Sequence, residues 1–407
     1  MRDGWKKVAI SDVCIMIKRG QAPSYTENKS VTVLNQKCIR DGRINLEFSR
    51  QTDANLKPVN EWAYLNATDT LVNSTGVGTL GRVAFVRNLP EPTTVDSHIT
   101  IVRPDNKKVE PSFLGLSLNF READIEGLAA GSSGQTELSR EALGNLIITL
   151  PTLPEQKRIV DLISSVDSYI ETLQQQLESA KRSRNAVLHE LLTACGDDWV
   201  ETTLGKASDV IMGRQLSPSK KLGTRPRPYI RAANIGSWGI NVEDIYEMDF
   251  TEIEEERFAC KVGDTILVEG GNEKSVGCPA FITDKEAGLC IQNTVIRCRS
   301  TNSKLLDPHF QYHLLRFMFW RGDFAQLCAG TTIMHLGQKR AEVVPISIPP
   351  LGKQLDIVDT ISKFDLTVTN LEETLNNAKS LRSGLLSDLL SGAHEIPASY
   401  DKVIGAA

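Results

Sequence analysis

Apolar residues recur every three or four positions through two long stretches of the chain. In the first they fall at Ile159, Ile163, Val166, Ile170, Leu173, Leu177, Ala180, Val187 and Leu191, and Arg184 fills the one missing place. In the second they fall at Ile357, Ile361, Phe364, Val368, Leu371, Leu375, Ala378, Leu385 and Leu389, with Arg382 in the matching gap. A 3.5-residue period held this long predicts paired helices, because so narrow a stripe is buried only against another helix. The two stretches are also copies of each other. Laid over one another without a gap, residues 154–192 and 352–390 share 15 identities, among them Gln156/Gln354, Asp167/Asp365 and Arg184/Arg382. A parallel pairing in register would face Arg184 with Arg382 inside an apolar seam. An antiparallel pairing sets Arg184 beside Phe364 and Asp365, and Arg382 beside Val166 and Asp167, so that each guanidinium has a carboxylate in reach.

The regions preceding these helices follow a different pattern, of short β-branched runs broken by turn residues. Residues 8–18, 31–39, 43–48, 70–74, 82–86 and 99–103 read as strands, and Asp41-Gly42 marks a hairpin turn. Residues 111–119 read as a helix with Pro at its start, and residues 138–143 as a shorter one. The second region repeats the order, with a helix over 308–321. Residues 35–45 match 231–241, residues 69–72 match 264–267, and Gly131-Ser132-Ser133 matches Gly330-Thr331-Thr332. One unit of about 195 residues, a globular region followed by a long helix, is thus used twice. Residues 392–407 read as a loose tail.

Bulk composition narrows the class without naming a function. The chain has 407 residues, 24% of them charged, and a net charge of −5. That charge argues against a general polyanion binder, and leaves DNA binding to local clusters of basic residues. No apolar run reaches the length of a membrane span, and residues 1–7 lack a signal-peptide core. The eight cysteines form no Cys-x-x-Cys pair, which points to reduced cytoplasmic thiols with no zinc site.

Several patterns invite a chemical reading. Residues 76–81 match G-x-G-x-x-G, but the segment that follows is β-branched and offers no helix N-terminus for a pyrophosphate. The loop is either a plain hairpin or a place where backbone approaches a ligand such as nucleic acid. Its counterpart at residues 270–277 is equally glycine-rich, with different tip residues. His309 and His313 share a helical face without the glutamate of a zinc protease, and read as structural or solvent-facing. His98, His189, His335 and His394 carry no supporting pattern. Residues 254–256, all glutamate, read as an exposed acidic face. The DNA-facing candidates are the polar and basic loop tips. In the first region these are Lys37, Arg40, Arg43, Thr75, Arg82, Ser132, Ser133 and Gln135. In the second they are Lys220, Lys221, Arg225, Arg231, Asn234, Asn272, Lys274, Thr331 and Thr332. Arg, Asn and Gln suit base edges, whereas Lys, Ser and Thr often hold phosphate. A Walker loop, a G-x-S-x-G elbow and the Asn/Asp-Pro-Pro-Tyr/Phe of adenine methylases are all missing, so no catalytic or metal-binding residue is assigned.

The duplicated plan, the Leu-Pro-x-Leu-Pro-Glu-Gln run over residues 150–156 and the Gly-Ser-Ser…Leu138-Ser139…Leu146 segment before it resemble the specificity subunit of type I restriction–modification enzymes. The second run, over residues 348–354, puts Lys353 in place of the usual acidic residue, which weakens one contact of the helix start. The resemblance implies an α+β, pseudo-two-fold fold in which two similar mixed α/β target-recognition domains are joined by two long helices forming an antiparallel coiled coil. It divides the chain into a recognition domain over 1–150, a helix over 151–196, a second domain over 197–349, a second helix over 350–392 and a tail over 393–407. It implies a non-catalytic subunit that reads a bipartite, asymmetric site in double-stranded DNA, one domain per half-site. Two methyltransferase subunits and two motor–nuclease subunits are its expected partners, with S-adenosylmethionine, ATP and Mg on those partners and no cofactor on this chain. The alternatives are a symmetric coiled-coil scaffold that binds no DNA, and an enzyme with a dispersed active site.

Overall fold

The computed structural model describes residues 4–27, 30–90, 92–130, 136–194, 196–216, 225–236, 239–328 and 334–401. The chain divides into two compact units, Met1–Gln174 with Glu373–Ala407, and Gln175–Glu372. Each unit therefore takes a part of both long helices, Leu153–Thr193 and Leu351–Ser391.

The first unit is built on an antiparallel sheet of β1 (Cys14–Arg19), β2 (Thr70–Asn73), β3 (Val83–Phe85) and β4 (Ile99–Pro104), in the order β1-β4-β2-β3. Its strands are apolar on both faces because both faces are covered. Val72, Val83 and Val102 pack with Phe113, Leu114 and Leu118 of helix α1 (Pro111–Phe120). Leu71, Ala84, Ile99 and Ile101 pack on the other side with Leu34, Ile39 and Val95. The same second layer holds strand Thr93–Val95, which runs parallel to Val31–Leu34.

The second unit repeats this with β5 (Ser208–Met212), β6 (Thr265–Val268), β7 (Pro279–Phe281) and β8 (Val295–Ser300), in the order β5-β8-β6-β7. Helix α2 (Pro308–Arg321) covers one face, capped by the Asp307 side chain at its start and ended by Gly322 in the left-handed region at φ 81°. A parallel pair, Pro226–Ile230 with Cys290–Ile291, lies in the second layer. One shared glycine shows how closely the two copies agree. A Cβ on Gly20 would lie 2.3 Å from the Asp96 carbonyl oxygen, and one on Gly213 would lie 2.3 Å from that of Gln292.

Both units launch their long helix in the same way. An antiparallel pair, Lys6–Ala9 with Ile147–Leu150 or Val200–Thr203 with Pro345–Ile348, delivers the chain to the prolines. A buried glutamine then ties the helix to its domain. Gln156 Oε1 accepts from the Glu110 backbone N–H at 2.8 Å, and its amide donates to the Pro151 carbonyl at 2.8 Å. Gln354 does the same with Asp307 N–H at 2.8 Å, Pro349 O at 2.8 Å and Leu305 O at 2.9 Å. A buried ion pair also recurs: Arg103 holds Asp69, and Arg299 holds Asp264, each at 2.7 Å.

Within the first unit, Ile159 and Ile163 share a core with Leu386, Leu389, Leu390 and Ile396, and Arg382 donates to Asp167 at 3.0 Å. Within the second, Leu188 and Leu192 share a core with Ile357 and Ile361, Arg184 meets Asp365 at 3.2 Å, and Lys181 meets Glu372 at 2.8 Å. Residue numbers fall on one helix as they rise on the other, so the paired segments run in opposite directions. Among the remaining stripe positions, Ile170, Leu173, Leu177, Val368, Leu375 and Ala378 are buried. Val166, Ala180, Phe364 and Leu371 are half-buried, as are Arg184 and Arg382.

Local differences from the sequence reading have local causes. Near the ends of the long helices full burial shifts to Leu188, Leu192 and Leu386, while Val187, Leu191 and Leu385 are half-buried. There the helix meets a domain core, which takes a wider apolar face than a partner helix does. Residues 8–18 are broken by a one-turn helix, Ile10–Val13. The strand expected over 43–48 stops after Ile44, because the Asn45 side chain accepts from the Glu47 N–H at 2.9 Å and turns the chain. The described part of the tail is packed: Ile396 is buried, and Arg158 pairs with Asp401 at 2.7 Å.

Candidate nucleic-acid interface

In the first unit the hairpin over 39–44 and the glycine loop over 76–81 are joined through Asn73 and the turn at Gln36. The Asp41-Gly42 turn has positive φ at both residues, 51° and 71°, as a two-residue hairpin requires. It sets Arg40 directly across from Arg43. Both are exposed, and the Asp41 carboxylate lies 3.6 Å from Arg40. Like charges face to face across a hairpin are unfavourable unless an anion joins them. Lys37, also exposed, sits on the preceding turn, whose backbone is bonded to the glycine loop: the buried Asn73 amide donates to Gln36 O at 3.0 Å and Thr79 O at 3.1 Å. Gly76 has φ 105°, and a Cβ there would strike the Gln36 side chain at 2.2 Å, so the approach of the two loops depends on this glycine. Arg82 folds back onto Gly78 O at 2.7 Å, and the Thr75 hydroxyl meets His98 Nδ1 at 2.7 Å. Thr75 is also bridged to Glu137, and Arg19 donates to Glu137 and, at 2.7 Å, to Leu138 O. Beside these lies a cleft of about 560 Å³ lined by Lys18, Arg19, Trp62, Glu137 and Arg140, with Lys18 Nζ 4.9 Å from the centre of the Trp62 ring.

The second unit uses the same scaffold with different tips. Gly236 and Gly239 stand where Arg40 and Arg43 stand in the first hairpin. Asn272 and Lys274 are exposed on the glycine loop, where the Asn272 side chain accepts from the Lys274 N–H at 2.9 Å. Asn234 is buried and structural, donating to Asn241 O at 3.1 Å and Asp244 O at 2.9 Å. Arg225 is paired with Glu252 at 2.9 Å and Glu255 at 2.7 Å, and Arg227 with Glu255 at 2.7 Å. Arg231 is paired with Asp244 at 2.5 Å and lies 4.0 Å over the Tyr246 ring. The glutamates at 254 and 255 are therefore not a free acidic face: Glu254 holds Arg214 at 2.8 Å, and Glu255 holds two arginines. Hydrogen bonding from Arg227 keeps the Glu255 carboxyl below the usual range. Ser132, Ser133, Gln135, Lys220, Lys221, Thr331 and Thr332 lie outside the described residues.

The histidine pair on α2 is structural. His309 stacks on Phe281 at 4.4 Å, and His313 is buried, which pushes its imidazole down to about 4. Among the described residues no cluster suits a metal ion, and no helix is long and apolar enough to cross a membrane. The seven described cysteines are free thiols. Residues that hold the loops in place, among them Arg19, Asn73 and Glu137, were not legible as such. Each differs from its counterpart in the other copy, so the repeat gives no signal for it.

The sequence profile of the type I restriction modification DNA specificity domain matches residues 2–182 and, a second time, 196–379. The chain belongs to the type I specificity family. Two similar members are the MjaVIII specificity subunit of Methanocaldococcus jannaschii, 20% identical over 96% of this chain and 93% of that one, and the StySPI specificity subunit of Salmonella potsdam, 23% identical over 96% and 88%. Solved specificity-family folds superpose over nearly the whole length. The M. genitalium S subunit gives a TM-score of 0.57 at 16% identity, covering 96% of this chain and 97% of that one. A chain from a structure of type I R-M complex assembly and conformational transition gives 0.63 at 16% identity, covering 96% and 98%. Specificity subunits of type I systems are non-catalytic.

Proposed function

We propose that this specificity subunit supplies the DNA address of a type I restriction–modification complex. Each unit grips one half of a bipartite, asymmetric site in double-stranded DNA. The two long helices pair as an antiparallel coiled coil with pseudo-two-fold symmetry, and their length sets the number of unread base pairs between the halves. Two methyltransferase subunits dock on the chain and two motor–nuclease subunits join them, and S-adenosylmethionine, ATP and Mg are used on those partners. The observation that carries this reading is a twice-built loop surface whose scaffold is the same and whose tips differ, with Arg40 and Arg43 on one hairpin against Gly236 and Gly239 on the other. Two heads that read different half-sites need that combination of constancy and divergence.

The test is co-expression with the methyltransferase subunit, followed by methylome sequencing. The expected result is adenine methylation within a split, non-palindromic motif. A contiguous motif, or no methylation that depends on this chain, would overturn the reading.

A further inference from the structure

Two histidines stand at the feet of the glycine loops, and they reach that place from different points in the repeat. In the first unit, Ser74 N–H donates to His98 O at 2.8 Å. The equivalent rung in the second unit is Glu269 N–H to Thr294 O at 2.9 Å, so a threonine occupies the position of His98. The second unit brings its imidazole from another strand. Leu336 N–H donates to Glu269 O at 2.7 Å, the rung that Leu138 N–H to Ser74 O makes at 2.9 Å in the first unit. His335 therefore occupies the position of Glu137. Duplication alone would leave histidines at matching positions. Here the same group stands beside each glycine loop from non-equivalent positions of the repeat.

Both rings are held through Nδ1, His98 by a hydroxyl that can donate or accept and His335 by a carboxylate. His98 Nδ1 bonds the Thr75 hydroxyl at 2.7 Å, and His335 Nδ1 bonds Glu269 Oε2 at 3.0 Å. Both side chains are exposed, and among the described residues Nε2 of neither ring makes a hydrogen bond. In the second unit the backbone makes room for the ring: a Cβ on Gly270 would lie 2.8 Å from His335 Nδ1. A carboxylate only accepts, so His335 Nδ1 carries the proton shared with Glu269, and Nε2 of the neutral ring is an acceptor. Phosphate oxygens are acceptors too and do not suit it. The exocyclic amino groups of adenine and cytosine, which donate into the major groove, do.

We propose that His98 and His335 are recognition residues, each presenting Nε2 to a base edge in the half-site bound by its own unit. This rests on the DNA-address reading above. The test uses the full chain with its methyltransferase subunit and duplexes carrying the motif found by methylome sequencing, with each base pair of either half-site varied in turn. Asparagine places its amide near the position of Nδ1 and glutamine near that of Nε2, so the two variants separate a supporting role from a reading role. The expected result is that H98A and H98N weaken binding about tenfold and relax base preference in one half-site only, while H98Q keeps part of both. H335A, H335N and H335Q should behave likewise in the other half-site. Thermal melting of each variant checks that it is folded. Base preference unchanged in the alanine variants, or restored by asparagine and not by glutamine, would make the rings mere props for the loops and overturn the proposal. Absence of any sequence-specific binding by the wild-type complex would instead overturn the DNA-address reading on which it rests.

Discussion

Lys353 lies 5.9 Å from the centre of the Trp199 ring, in the place where Glu155 accepts the Trp5 indole N–H at 2.9 Å. The Trp199 indole nitrogen is buried without a hydrogen-bond partner among the described residues. The second helix start thus exchanges a charge-assisted hydrogen bond for a weaker cation–π contact. Glu155→Lys should cost about 1–3 kcal/mol by removing the carboxylate that accepts from the Trp5 N–H, and Lys353→Glu should gain less, about 1 kcal/mol. Urea unfolding of the two variants checks the pair. Equal and opposite effects, or none, would refute the assigned roles.

The buried Gln354 side chain satisfies two carbonyls and one N–H, so its loss removes a partner from all three. Gln354→Leu should destabilise by about 2–4 kcal/mol, and Gln354→Glu by less, since the N–H keeps its acceptor. A change in melting temperature of less than a degree for the leucine variant would show that the glutamine anchors nothing.

The helix-to-helix ion pairs differ in how they are shared. Asp167 receives Arg382, whereas Asp365 receives Arg184 at 3.2 Å and also Arg316 at 2.8 Å. Burial works to raise the Asp365 carboxyl, but hydrogen bonds from Arg316 and the guanidinium charges outweigh it and hold the group low. A double-mutant cycle with Arg382→Ala and Asp167→Ala should give a coupling energy of about 1 kcal/mol. Asp365→Asn should cost more than Asp167→Asn, because it weakens two arginine contacts. Additive effects in the cycle would remove the pairing from the account.

His313 gives the second unit a definite response to acid. Its ordinary value of 6.5 falls to about 4 through burial, with Arg316 adding to the effect. Between those values the unfolded chain binds a proton that the folded chain refuses, so stability rises with pH across that window and is lost as pH falls through it. The loss is at most about 3 kcal/mol. Asp365 acts lower still, its contribution present above about pH 4 and lost beneath it. His313→Leu should flatten the profile between about pH 4 and 6.5 in urea titrations, whereas an unchanged slope would assign the acid sensitivity elsewhere.

Inserting one heptad into both long helices adds about 10 Å of helix. The methylated motif should then accept a gap about 3 base pairs longer, which methylome sequencing reads directly. A gap of the original length would remove the spacer role from the helices.

The repeat made much of this architecture legible. The 3.5-residue stripe gave both long helices nearly to the residue, and Asp41-Gly42 and Pro308 marked a hairpin and a helix that formed where expected. Ion-pair chemistry was harder to read, because partners were distant in sequence. Arg225 and Arg231 read as DNA-facing from the sequence, which does not show the carboxylates of Glu252, Glu255 and Asp244 that stand against them. Asn234 looked like a base reader because its composition suits a groove, yet its amide closes its own turn. His98 and His335 carried no sequence pattern because their resemblance exists only in space.

The core around Ile159, Ile163 and α1 is closed by Leu386, Leu389 and Ile396, which emerge from the ribosome some two hundred residues later. During synthesis the amino-terminal unit is a vessel without its lid until those residues are made. A message cut short anywhere before those leucines yields a chain that leaves oily surface uncovered, a ready substrate for chaperones and proteases. A closed first core is thereby tied to having translated both copies of the repeat.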